Sequence, residues 1–164
     1  MINKIILISG PTATGKSSLA LKIAKKIDSE IINADSIQLY KDLSILTARP
    51  SVKRETIKHH LYGLLNGDIK WSVGKWLQET KVLIQNIIEK RKIPIIVGGT
   101  GFYFKAITDG LSPIPDIDHL VRGELNDLLL KEGLESLYLD LQKVDEAAAE
   151  KINPNDKQRI IRAL

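Results

Sequence analysis

The 164-residue sequence predicts an α/β fold, a parallel β-sheet layered with helices, on three observations. Short apolar runs alternate with amphipathic helical stretches across the first hundred residues. The first of those runs ends in a glycine-bearing loop, and the last third of the chain carries helical patterning alone. Lys4 to Ser9 (KIILIS) is a continuous apolar run stopped by Gly10 and Pro11, the pattern of a buried parallel strand feeding a turn. From Ser17 to Ile27, Leu19, Ala20, Ile23, Ala24 and Ile27 recur at helical spacing, which predicts an amphipathic helix. Glu30 to Ala34 (EIINA) reads as a second strand ending at Asp35. After a polar stretch, Val73, Trp76, Leu77, Thr80, Leu83, Ile84, Ile87 and Ile88 mark one face of a longer helix. It should end near Arg91 and Lys92, whose charges suit the negative end of the helix dipole. Ile93 to Val97 (IPIIV) is the third strand, broken by Gly98 and Gly99.

Beyond Asp109, Leu111 to Asp118 (LSPIPDID) is a proline-bearing connector, and no strand pattern follows it. Candidate helices are Asp118 to Lys131, Leu134 to Lys143, Asp145 to Lys151 and Asn155 to Leu164. This divides the chain into an α/β core, 1–110, and a helical segment, 111–164. A parallel sheet of only three strands followed by helices leaves an edge unpaired and one face poorly covered, so the sheet is expected to be incomplete in this chain. The helical pattern is still running at the terminal RIIRAL, which predicts an end that is cut rather than finished.

Composition narrows the function classes. There is no cysteine, which excludes disulfides, thiolate metal sites and thiol nucleophiles. No apolar run approaches the ~20 residues of a membrane span, and the opening stretch is too short for a signal peptide, so a cytoplasmic protein without a membrane role is expected. A formal charge of +4 permits a nucleic-acid partner without demanding one.

The loop Gly10-Pro11-Thr12-Ala13-Thr14-Gly15-Lys16-Ser17 matches G-x-x-x-x-G-K-[ST], between a predicted strand and a predicted helix. Its glycines let backbone N–H groups aim at phosphate oxygens, the helix presents its positive dipole end, and Lys16 adds a point charge. Ser17 would place its hydroxyl on a Mg²⁺ bridging the phosphates. The fold is therefore read as a P-loop NTPase-like parallel sheet with a helical insertion. Hydrolases of this class hold Mg²⁺ with an acidic residue after an apolar strand, but Ile96-Val97-Gly98-Gly99-Thr100 ends the third strand without one, which disfavours motor-type hydrolysis. The carboxylate stands instead after the second strand, at Asp35, on the same carboxyl edge as the loop. Asp35 can equally be a strand-end or helix-capping aspartate. Gly98-Gly99-Thr100-Gly101 brings backbone close to the same crevice, with Thr100 supplying a hydroxyl; Thr100 can also cap a helix beginning at Phe102.

The sequence resembles the tRNA dimethylallyltransferases, also called tRNA isopentenyl transferases. The resemblance rests on GPTATGKS (Gly10 to Ser17), ADSIQLYKDL (Ala34 to Leu43), TARP (Thr47 to Pro50), HHL (His59 to Leu61), IPIIVGGTGFYFKA (Ile93 to Ala106) and INPNDKQRIIRAL (Ile152 to Leu164). It implies transfer of a dimethylallyl group from dimethylallyl diphosphate to the exocyclic amine of the adenosine adjacent to the tRNA anticodon, with Mg²⁺ as cofactor. The implied catalytic residues are Asp35 as base, Lys16 on the leaving diphosphate, and Thr100 against the leaving group or the target nucleotide. Asp35, Ser36, Ile37, Gln38 and Thr100 would line the nucleotide's entry. Arg122 and Gln158-Arg159-Ile160-Ile161-Arg162 match tRNA-contacting positions, which makes 111–164 a tRNA-contacting segment; without the resemblance, a solvated helix face is the favoured explanation of the arginines. Arg49 stands where many members have lysine. Adjacent His59 and His60 receive no catalytic role. Family members are longer and return to complete the core, so the resemblance implies a chain truncated at its C-terminus and acting as a monomer. The alternatives are a small P-loop kinase, which an aspartate after strand two would also suit, and an inactive truncated remnant.

Overall fold

A computed structural model describes residues 4–50, 56–112 and 117–164. Of the proline-bearing connector, positions 113–116 lie outside the described residues. The chain divides after Ser112 into two compact units.

In the first unit, four parallel strands form one sheet in the order β1 (Ile6–Ser9), β4 (Ile93–Gly98), β2 (Ser29–Asn33), β3 (His59–His60). Side chains alternate between the two faces of the sheet, and each face buries a different set. Ile31, Ile95 and Val97 pack with Ala20 and Ala24 of α1 (Lys16–Ala24) on one face. Ile32, Ala34 and Ile96 pack on the other with Trp76, Leu77 and Ile87 of α2 (Val73–Glu89) and with Tyr103, Phe104 and Ala106 of α3 (Gly101–Asp109). β4, covered on both sides, is apolar without alternation, and β2 buries Ile31 and Ile32 between polar Ser29, Glu30 and Asn33, whereas Leu7 on edge strand β1 is 42% exposed.

Three expectations are corrected. The sheet has four strands rather than three, because β3 comprises only two polar residues and has no hydrophobic period to read. α2 ends at Glu89, and Arg91 turns the chain with a left-handed φ of 59°. The backbone N–H groups of Arg91 and Lys92 close the helix end on the Ile88 and Ile87 carbonyls at 2.8 and 3.1 Å, while the Lys90 and Lys92 ammonium groups lie 3.9 and 3.6 Å from Glu30 Oε1. Thr100 precedes α3 but makes no side-chain cap bond, since its hydroxyl is engaged with Ser36.

Glu30, 3% exposed, is the hub that holds the short edge strand, with its Oε2 2.7 Å from His60 Nε2. Burial pushes the His60 pKa below 6.5 against the raising pull of Glu30. For Glu30 burial acts upward, but the His60 hydrogen bond and the Lys90 charge outweigh it and bring the carboxyl below 4.5. With both values lowered on folding, the unfolded chain binds protons the folded one does not. Stability is thus whole above the unfolded value of His60 and falls as pH drops, through the histidine first and Glu30 later. Thermal melting temperatures should decline as pH drops below about 6.5, and His60→Gln should flatten that decline. An unchanged slope in the variant would exclude this origin.

The second unit is helical: α4 (His119–Val144), α5 (Glu146–Ala149) and α6 (Lys157–Ala163) surround Leu137, Leu141, Ala149 and Ile160. Gly133, at φ 85° and ψ 175°, breaks α4 between the two helices the patterning separates. Asp118, Asp145 and Asp156 cap α4, α5 and α6 by accepting hydrogen bonds from Leu120, Ala148 and Arg159 backbone N–H groups. Among the described residues no helix is long and apolar enough to cross a membrane.

Candidate functional site

The carboxyl ends of β1, β2 and β4 meet at a cavity of about 410 Å³. The loop after β1 supplies one wall with Thr12, Ala13, Gly15, Lys16 and Ser17, and the segment after β2 supplies the other with Asp35, Ile37 and Gln38. The loop closes through Ala13 at φ 66° and Gly15 at φ 82°, the latter directly before α1, a conformation glycine adopts without penalty. Thr14 Oγ1 donates to the Pro11 carbonyl at 2.8 Å and stiffens the turn. The first N–H groups of α1 have no partner within the helix and form an anion-binding end. The Lys16 ammonium donates to the Pro11 carbonyl, folded back over its own loop.

Asp35 follows β2 and is held from several sides. Its Oδ1 accepts a hydrogen bond from Ile37 N–H at 3.0 Å, a turn at the end of β2, and among the described residues no helix directly follows for it to cap. No protein donor engages Oδ2 among the described residues, and a Cβ built on Gly99 would stand 3.6 Å from both Oδ2 and the Gly10 carbonyl. The diglycine turn therefore lies between the carboxylate and the phosphate loop. A Cβ on Gly98 would approach the Ala34 carbonyl to 2.1 Å, so only glycine lets β4 pass this close behind Asp35.

Thr100 and Ser36 bind each other. Ser36 N–H donates to Thr100 Oγ1 at 2.9 Å, and the Thr100 hydroxyl lies 3.3 Å from Ser36 Oγ as a donor. Neither lines the cavity wall with Asp35, Ile37 and Gln38. Gln38 Nε2 donates to the Thr47 carbonyl at 2.9 Å, tying the entry to the 46–48 segment that closes the cavity. Arg49 donates from Nη1 to the Tyr40 carbonyl at 2.7 Å and from Nη2 to that of Lys41 at 3.1 Å. This two-pronged contact belongs to a guanidinium fork and not to an ammonium.

Two residues that matter here escape a sequence reading. Tyr62 lines the cavity, and its phenol is held protonated by burial first and by the Asp35 charge second. No pattern announces it. Asn33 is wholly buried, and its signal is a polar residue directly after the buried Ile31-Ile32 pair at the end of β2. His59 and His60 engage different groups, the Ile57 carbonyl and Glu30.

In the helical unit Arg122, Gln158, Arg159 and Arg162 are exposed. Arg159 Nε pairs with Asp156 Oδ2 at 3.1 Å. Ile160 is 0% exposed and belongs to the unit's core, and Ile161 packs against that core, so their matching to contact positions reflects burial beside the arginines and not a free apolar surface. Among the described residues no three His, Asp or Glu side chains gather as a metal cluster.

Residues 38–164 match the family model for IPP transferase. The chain is 54% identical over 162 residues to a tRNA dimethylallyltransferase of Pelagibacter ubique, covering 98% of this chain and 52% of that protein. It is 49% identical over 160 residues to one from Rhizobium rhizogenes, covering 97% of this chain and 54% of that protein. Among solved structures, a eukaryotic dimethylallyltransferase acting on tRNA superposes with a TM-score of 0.82 at 32% identity, over 98% of this chain and 40% of that one. The full-length tRNA isopentenylpyrophosphate transferase of Bacillus halodurans superposes with a TM-score of 0.66 at 33% identity, over 98% and 54%. The chain spans about half the length of the curated relatives it matches.

Proposed function

Because the chain belongs to the IPP transferase family, we propose that it serves as a tRNA prenyltransferase, moving a dimethylallyl group from dimethylallyl diphosphate to the exocyclic amine of the adenosine adjacent to the anticodon. One observation carries this reading. A carboxylate with one oxygen anchored and the other, among the described residues, without a protein donor stands across one cavity from a phosphate loop.

The adenine amine is a weak nucleophile, because its lone pair is delocalised into the ring. As its nitrogen bonds to the allylic carbon, the carbon–oxygen bond to diphosphate breaks and the electron pair leaves with the diphosphate. The amine proton passes to Asp35, whose anchored Oδ1 fixes the direction in which Oδ2 accepts. On the departing side, Lys16 and the N–H groups at the start of α1 stabilise the charge collecting on the diphosphate oxygens. Lys16 must first leave the Pro11 carbonyl, an exchange of one acceptor for a more strongly charged one. Thr100, bonded to Ser36, acts by holding the turn that carries Asp35.

The donor set also fits a hard cation. Ser17 offers a hydroxyl on the cavity wall next to Lys16, and Mg²⁺ is ordinarily held by one or two protein oxygens together with substrate phosphates. Bound there, it would offset negative charge on the diphosphate.

For tRNA, Ile37 and Gln38 would flank the extruded base at the cavity wall. Arg122, Gln158, Arg159 and Arg162, exposed on the helical unit, would meet backbone phosphates, with Arg159 and Arg162 one turn apart on α6. This gives residues 1–110 the chemistry and 111–164 the tRNA, in a monomer working in the cytoplasm. Incubation with labelled dimethylallyl diphosphate and tRNA lacking the modification should place label in the tRNA. Transfer of phosphate from ATP to a small acceptor, with unlabelled tRNA, would overturn the reading in favour of a kinase.

A further inference from the structure

We infer that Asn33 is the positioning residue that aims Asp35, holding the carboxylate by its backbone from beneath. The inference rests on the reading of Asp35 as proton acceptor. Asn33 is 0% exposed, and its side-chain amide spends every contact on backbone groups. Oδ1 accepts from Asp35 N–H at 2.9 Å, while Nδ2 donates to the Asp35 carbonyl at 2.8 Å. One side chain thus grips both peptide groups of Asp35, which leaves that residue's backbone little freedom to rotate.

The second N–H of the same amide donates to the Leu61 carbonyl at 2.9 Å. Leu61 leaves β3 with a left-handed φ of 61°, a conformation a leucine adopts only under constraint. The next residue is Tyr62, on the cavity wall. Asn33 therefore ties together the ends of two neighbouring strands, one delivering Asp35 and the other Tyr62. Its own carbonyl accepts from Trp76 Nε1 at 2.9 Å, and Trp76 stacks on Tyr103 with ring centroids 4.3 Å apart. The Asn33 backbone is in this way anchored to the α2 and α3 layer.

The pattern of donors and acceptors requires an amide. Aspartate at this position would place oxygen against two carbonyls, and serine would be too short to span Asp35 and Leu61 together. Neither outcome concerns burial alone, which separates positioning from packing.

Two variants, Asn33→Asp and Asn33→Ser, test this on the chain as it stands. Native-state hydrogen exchange should show lost protection confined to Asp35 and residues 61–63, with α1 and β4 protected as before and inorganic diphosphate affinity within about twofold of the parent. In single-turnover transfer to tRNA, the rate should fall by ~10-fold or more while the concentration dependence on allyl diphosphate is retained, because misaim costs the chemical step. In an Asp35→Asn background the same substitutions should bring no further loss. Unchanged protection at Asp35 and 61–63 in both variants would overturn the inference, as would equal losses in both backgrounds. Failure of the Asp35 reading has a different signature: Asp35→Asn alone would transfer at full speed, while the exchange pattern would still respond to Asn33.

Discussion

Asp35→Asn should slow allyl transfer by ~10² or more while leaving diphosphate affinity unchanged, the scale typical when a general base is lost. The substitution keeps the shape of the side chain and the Oδ1 contact with Ile37 N–H, so the turn after β2 persists. What it removes is the second acceptor, the oxygen beside Gly99, whose replacement by an amide nitrogen cannot take a proton from an adenine amine. Single-turnover transfer with saturating dimethylallyl diphosphate is the decisive measurement, since it isolates chemistry from release. Parent-like rates would remove Asp35 from the mechanism.

Lys16→Ala should weaken both binding and reaction. The ammonium is the point charge of the phosphate loop, and its loss leaves the loop itself with neutral N–H donors only. Because charge on the bridging and terminal oxygens grows as the allylic carbon–oxygen bond breaks, the effect on rate should exceed that on affinity. A loss of ~10²–10³ in transfer matches removal of one donor to a developing anion. Calorimetric titration with inorganic diphosphate reads the affinity, and single-turnover transfer the rate. Parent-like affinity would contradict the placement of Lys16 on the diphosphate. The two variants therefore separate the site into halves: Asp35 alters the nucleophile's side alone, Lys16 the leaving group's side and the binding step together.

The phosphate loop was legible because its function is local. A strand, two glycines, a lysine, a serine and a helix follow one another without interruption, and contiguous chain geometry decides where the N–H groups point. The same holds for β4, whose burial on both faces demands an unbroken apolar run. β3 was not legible: two histidines pair with Ile31 and Ile32 through backbone alone, and His60 is fixed by a glutamate 30 positions away. Thr100 illustrates a different limit. A hydroxyl before a helix is the usual cap, yet here it is spent on Ser36, 64 residues distant, because β4 and β2 lie side by side.

Sequence order alone determined the parallel α/β class, the anion cradle around Lys16 and the carboxylate at the edge of the second strand, since each depends on neighbours along the chain. Only the tertiary structure decided which oxygen of Asp35 the neighbouring backbone engages, that Asn33 grips the Asp35 backbone from across the strand ends, and that Tyr62 joins the wall. Those outcomes turn on hydrogen bonds and close approaches between strands far apart in sequence, where pairing and register set distances that no local pattern encodes.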